Sequence, residues 1–205
     1  MTRTPPGVVR IIGGRWRGSK LPVADVASLR PTSDRVRETL FNWLQPGLAG
    51  ATVLDLFAGT GALGLEAASR GAGKVVLVER DPALVANLRA SAARLAGADA
   101  ADAVEIVCAD ALHWLAAAPK PQFDIVFVDP PFAAALWQRA LTALTPWLAD
   151  AALLYLEAPR SALPMVPDGC VVHREGSTRD VRYALYRRGA ATLAPLTAEQ
   201  DQARA

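Results

Sequence analysis

Apolar positions along this chain fall into blocks of different period, and the blocks separate strands from helices. Residues 8–23 carry two short apolar runs on either side of Gly13-Gly14, with basic residues between them, a pattern that predicts a small β-hairpin or ribbon. Residues 25–31 read as a loop. Thr32, Ser33 and Asp34 are N-cap candidates for a helix whose Val36, Leu40, Trp43 and Leu44 recur on one face. Arg35, Glu38 and Asn42 share another face, and Pro46-Gly47 is expected to end the helix.

From Ala51 the pattern becomes a regular alternation. Strands are expected at 52–57, 74–79, 104–107, 123–128 and 153–157, and helices at 62–70, from Asp81-Pro82 through Leu95, at 111–117 and at 133–148. The run at 123–128 is almost continuously apolar, as a strand covered on both faces should be. Residues 171–175 and 181–186 read as a closing antiparallel pair, and the segment from Gly189 is polar. Alternating strands and helices predict an α/β fold with a doubly wound sheet.

Composition adds limits. The chain has 205 residues, 52% of them hydrophobic and 20% charged, enough to bury a substantial core. No apolar run approaches bilayer length, and residues 1–7 lack the apolar stretch expected of a signal peptide. Cys108 and Cys170 lie far apart without clustered histidines, which argues against a disulfide framework or a structural zinc site. A reducing, cytoplasmic setting is expected. Net charge is +2, but residues 1–45 carry +5 and the remainder −3. A basic end on a mildly acidic body suits a polyanionic partner. Arginine outnumbers lysine 19 to 3, so compositional bias is a competing source of that charge.

Three clusters carry chemistry. Gly59, Gly61 and Gly64 fit G-x-G-x-x-G after a strand and before a helix, which permits a tight turn and close approach to a nucleotide-like ligand. The spacing alone does not separate a nicotinamide dinucleotide from S-adenosylmethionine. Asp55 lies inside the strand ahead of the glycines, where an acid can orient the loop and meet an ammonium group. Glu79 closes the second strand, where a carboxylate can accept both hydroxyls of a ribose. Asp110 can accept from an adenine amine, with the Ala111 N–H meeting the ring, or cap the next helix. At the end of strand 123–128 stands Asp129-Pro130-Pro131-Phe132. Each of the first two residues precedes a proline and is held extended. A stiff loop of this kind aims the Asp129 carboxylate and the Pro130 carbonyl outward as paired acceptors for an exocyclic NH2, with Phe132 as a stacking face for a flipped base. Three readings stay open on these residues: an amino-methyltransferase for guanine or another base, an NAD-dependent oxidoreductase, and a non-catalytic RNA-binding module.

Taken together, residues 9–22, 29–44, 55–67 and 127–132 resemble the RsmD family of class I methyltransferases, and the similarity runs from about residue 8 to residue 188. The resemblance implies a Rossmann-like, mostly parallel seven-stranded sheet with an antiparallel last strand, plus an N-terminal hairpin extension. It implies S-adenosylmethionine as donor, S-adenosylhomocysteine as product, and the N2 amine of guanine-966 of 16S rRNA as target. Ribosomal proteins of the small subunit are the implied partners, with no membrane, no metal and a monomeric chain. By position, Asp129, Pro130, Pro131 and Phe132 would hold the guanine. Asp55, Phe57, Gly59, Gly61, Glu79, Asp110 and Ala111 would hold the cofactor. Arg10, Arg15, Trp16, Arg17, Lys20, Arg35 and Arg37 would dock RNA. Arg182 and Tyr183, ahead of the last strand, are further candidates for the base pocket. The expected division is 1–45 for RNA docking, 46–188 for the methyltransferase domain and 189–205 as a tail.

Overall fold

Strong apolar runs become the central strands, and amphipathic segments become their covers. A computed structural model of the chain describes residues 8–23, 33–96, 103–117, 122–131, 136–160 and 164–189. Thr32, Phe132, the expected loop at 25–31, the start of the expected helix at 133–148 and nearly all of the tail lie outside the described residues.

The elements run β1 (Val8–Arg10), β2 (Lys20–Pro22), α1 (Asp34–Leu48), β3 (Thr52–Asp55), α2 (Gly64–Ser69), β4 (Lys74–Glu79), α3 (Pro82–Ala96), β5 (Val104–Cys108), α4 (Ala111–Leu115), β6 (Phe123–Val128), α5 (Trp137–Leu144), β7 (Leu148–Pro159), β8 (Cys170–Ser177) and β9 (Val181–Arg188). Among the described residues β1 and β2 form a separate antiparallel ribbon, and seven strands form one sheet in the order β5-β4-β3-β6-β7-β9-β8. Pairing is parallel from β5 to β7, and β9 is antiparallel to both of its neighbours. The chain leaves β3 toward β4 and returns to β6 on the other side. That reversal opens a crevice at the carboxyl ends of β3 and β6.

Alternation along the strands splits the core into two layers. Val53, Ile125, Phe127, Tyr155 and Leu185 face one side with Phe41 and Leu44 of α1. Leu54, Val76, Val126 and Leu154 face the other with α4 and α5. Helix α1 starts where Ser33 accepts the Val36 N–H, and it runs across the expected boundary at residues 45–46. The N-terminal segment therefore shares its core with the sheet.

Several boundaries differ from the sequence expectation. Helix α1 passes through Pro46 to Leu48. A proline in the last turn costs one hydrogen bond there, and burial of Leu48 keeps the turn closed. The expected helix at 133–148 ends at Leu144, a 3₁₀ turn holds Pro146, and Leu148 already belongs to β7. The β6 partner then jumps from Leu148 to Leu153, with Ala151 at φ 62° in the bulge. Gly13-Gly14 is not a two-residue turn. The strands pair Val9 with Leu21, and a longer loop lies between them. A Cβ on Gly14 (φ 76°) would lie 2.0 Å from the Ser69 carbonyl oxygen, so the pair exists for close approach to α2.

Candidate active site

Among the described residues, Asp55, Glu79, Asp110 and Asp129 stand at or just beyond the carboxyl ends of β3, β4, β5 and β6. Strand β3 stops at Asp55 because that side chain turns to the start of α2, where its Oδ2 accepts the Gly64 N–H at 2.9 Å. Asp55 is buried, and burial pushes its carboxyl from 3.8 up to about 7, with Glu79 adding to the rise and hydrogen bonds from Gly64 and Phe57 opposing it. Between Asp55 and α2 the loop doubles back. Gly61 has φ 78°, and a Cβ on it would lie 2.5 Å from the Leu88 side chain. Glu79 holds this loop from the next strand. One carboxylate oxygen accepts the Gly59 N–H at 2.9 Å and the other the Asp81 N–H at 2.8 Å. An ionised carboxylate has about four acceptor sites, so capacity for ligand hydroxyls remains.

Asp110 caps α4, its Oδ1 accepting from Leu112 and His113 at 3.0 and 3.1 Å. The carboxylate is exposed beside the end of β5. Ala111 is buried beneath it, and Phe57 is half-buried against the α4 and α5 side of the core.

The Asp129-Pro130-Pro131 segment leaves β6 in direct continuation of Val128. Strand β6 pairs with β3 through Asp55↔Phe127, and the Leu56 N–H donates to the Phe127 carbonyl at 3.1 Å. The glycine loop and the proline loop are thus neighbours across one strand spacing, about 4.8 Å. Behind Asp129 sits Tyr155, whose hydroxyl donates to Glu157 Oε2 at 3.0 Å. Burial drives the Tyr155 hydroxyl well above its ordinary value, and the nearby carboxylates of Glu157 and Asp129 push the same way. Tyr183 lies within β9 rather than ahead of it and stacks on Trp43 of α1, ring centroids 5.7 Å apart. Arg182 pairs across the edge with Glu175 of β8.

The basic hairpin is fixed to α2 by two buried side chains that sequence reasoning did not single out. Glu66 accepts the Ile12 and Gly13 N–H groups at 2.6 and 2.7 Å and the Arg70 Nε–H at 2.6 Å. Ser69 Oγ accepts the Trp16 N–H and donates to the Gly13 carbonyl. The available signal was a charged residue inside a short helix of otherwise small and apolar residues, Gly-Leu-Glu-Ala-Ala-Ser.

This anchoring corrects two of the expected RNA contacts. Arg37 is 0% exposed; it donates to the Arg10 carbonyl and to Asp34, and lies 3.9 Å from Glu66. A buried guanidinium cannot meet a phosphate, so its role is to hold the hairpin against α1. Trp16 is also buried in the core, with the Arg15 guanidinium 4.5 Å over its ring, so it is not an open stacking platform. Arg10, Arg15, Arg17, Lys20 and Arg35 are exposed. A separate depression of about 550 Å³, lined by Gly50, Asp124, Asp150 and Arg187, opens at the opposite ends of the strands and shares no residue with this site.

The chain matches a family model described as "Conserved hypothetical protein 95" over residues 9–187. It is 48% identical over 187 residues to ribosomal RNA small subunit methyltransferase D of Escherichia coli strain K12, covering 90% of this chain and 92% of that protein. The protein of the same name from Haemophilus influenzae is 40% identical, covering 91% and 97%. A solved structure titled as putative methyltransferase yhhF from Escherichia coli superposes with a TM-score of 0.81 at 46% identity, covering 90% of this chain and 99% of that one.

Proposed function

The chain belongs to the RsmD family, and from that premise we propose that it methylates the N2 amine of one guanine in 16S rRNA. The donor is S-adenosylmethionine, and the target is guanine-966 in the family's conventional rRNA numbering. The substrate is the assembled or partly assembled small subunit. The observation that carries this reading is the adjacency of two loops: a glycine loop held by Asp55 and Glu79, and the Asp-Pro-Pro loop on the neighbouring strand.

The residues present fit the donor. Asp55 offers a buried carboxylate beside the loop for the methionine ammonium, Glu79 retains acceptor capacity for ribose hydroxyls, and Asp110 stands exposed at the third strand for an adenine amine. S-adenosylmethionine supplies an electrophilic methyl group on a sulfonium. Asp129 and the Pro130 carbonyl accept from the two N–H bonds of the guanine amine, turning its lone pair toward that methyl. Phe132 stacks on the flipped base. The proton displaced from N2 leaves to Asp129 or to water. Acceleration comes mainly from positioning, because the donor is already reactive.

In this reading residues 1–45 dock RNA through exposed Arg10, Arg15, Arg17, Lys20 and Arg35, and residues 46–188 carry the chemistry. The oxidoreductase alternative is weakened by Asp55. A dinucleotide places its pyrophosphate at the helix N-terminus, and here the Gly64 N–H is already taken by a carboxylate. Titrating S-adenosylhomocysteine and NADH against the protein tests the ligand assignment. Saturable binding of the first alone is expected, and binding of NADH alone would overturn it.

A further inference from the structure

A second carboxylate stands level with Asp129. Val128 of β6 pairs with Leu156 of β7, so Asp129 continues abreast of Glu157, and Glu157 pairs in turn with Tyr183 of β9. Asp129 follows Phe127 by two positions, Glu157 follows Tyr155 by two, and Tyr183 precedes Leu185 by two. Strand alternation therefore puts all three on the sheet face that holds Phe127, Tyr155 and Leu185. The result is a row across three adjacent strands at one rim of the sheet, with Trp43 stacked on its aromatic end.

Glu157 is held rigidly in that row. Its Oε2 accepts from the Tyr155 hydroxyl at 3.0 Å, its main-chain carbonyl accepts from Trp137 Nε1 at 2.9 Å, and the residue is 8% exposed. Burial raises the Tyr155 hydroxyl, and the Glu157 and Asp129 carboxylates near it push the same way.

Resting on the methylation reading above, we infer that Glu157 is a specificity-determining residue that accepts the N1–H of the target guanine while Asp129 holds its N2 amine. Guanine presents N1–H and N2–H side by side as donors. Their main chains run on neighbouring strands about 4.8 Å apart, close enough for the Asp129 and Glu157 side chains to converge on that edge. Adenine and cytosine present an acceptor nitrogen beside their amine, which would face the Glu157 carboxylate lone pair to lone pair. A poorly solvated carboxylate opposed by a lone pair is costly, so this arrangement rejects those bases as well as favouring guanine. The Asp-Pro-Pro loop by itself fits any exocyclic amine. Glu157 supplies what the loop lacks.

The test compares small subunits reconstituted with guanine, 2-aminopurine or 2,6-diaminopurine at the target nucleotide. All three carry the 2-amino group, but only guanine has N1–H. Wild-type protein should prefer guanine by about a hundredfold or more in kcat/KM. Glu157→Gln, whose amide can donate to a bare N1, should bring the three substrates within about tenfold of one another. Tyr155→Phe, which unties Oε2, should lower the preference by a smaller factor. The ratio is internal to each protein, so a general loss of activity does not mimic the effect. Unchanged ratios in both variants alongside active wild-type enzyme would overturn the role of Glu157 alone. Absence of methylation on all three substrates by wild type would overturn the guanine reading and this inference with it.

Discussion

The Asp55 carboxylate accepts the Gly64 N–H at 2.9 Å from a position where burial holds its acidity near pH 7. A group that must be ionised to attract an ammonium is thus poised within the physiological range. Binding of S-adenosylhomocysteine, whose amino group is cationic there, should tighten between pH 6 and 8 with release of a proton, and Asp55→Asn should flatten that dependence. Calorimetry in buffers of different ionisation enthalpy checks both. A wild-type profile flat over this range would remove Asp55 from the account.

The same shift makes a statement about stability. The folded state holds the Asp55 proton up to about pH 7, whereas the unfolded chain releases it near the ordinary aspartate value of 3.8. Between those values the native state binds more protons, so the Asp55 contribution to stability declines as pH rises from about 4 to 7 and levels off above. Asp55→Asn removes this slope. Urea unfolding of the two proteins at pH 5 and pH 8 should show a smaller difference for the variant.

Asp129→Ala should abolish methyl transfer while leaving S-adenosylhomocysteine binding within about twofold, because Asp129 stands on the Asp-Pro-Pro loop after β6 and not on the glycine loop. Single-turnover assays paired with ligand titration separate the two effects. Full turnover by the variant would remove Asp129 from the chemistry.

Arg37 and the exposed arginines should behave oppositely. Arg15→Ala and Arg17→Ala should raise KM for the subunit, leave kcat nearly unchanged and each lower the salt dependence of binding by about one unit of slope. Arg37→Ala should lower stability instead, since it removes the donor to the Arg10 carbonyl and to Asp34 and one of the two cations beside buried Glu66. Glu66→Ala should cost more, about 3–5 kcal/mol, by leaving two backbone N–H groups and the Arg70 guanidinium without their acceptor and by removing the carboxylate 3.9 Å from buried Arg37. Chemical denaturation reads both.

Legibility in the sequence followed the range of the interactions involved. Strands β4 and β6 are readable to the residue because buried parallel strands need unbroken apolar runs. The glycine loop, Glu79 and the Asp-Pro-Pro turn are readable because local backbone geometry demands those residue types. What stayed hidden depends on partners distant in the chain. Gly13-Gly14 reads as a turn until α2 is placed against it, 55 residues away from Gly14 at Ser69. Arg37 looks like a surface charge until Glu66 appears beside it. Glu157 lies in an apolar run, and only the register of three strands sets it abreast of Asp129 and Tyr183.

The identity of the methylated atom decides the function. Small subunits from cells lacking this protein, incubated with it and tritiated-methyl S-adenosylmethionine and then digested to nucleosides, give the direct answer. Label in N2-methylguanosine from the subunits is the expected result. Label in a methylated adenosine or cytidine, or none despite tight S-adenosylhomocysteine binding, would contradict it.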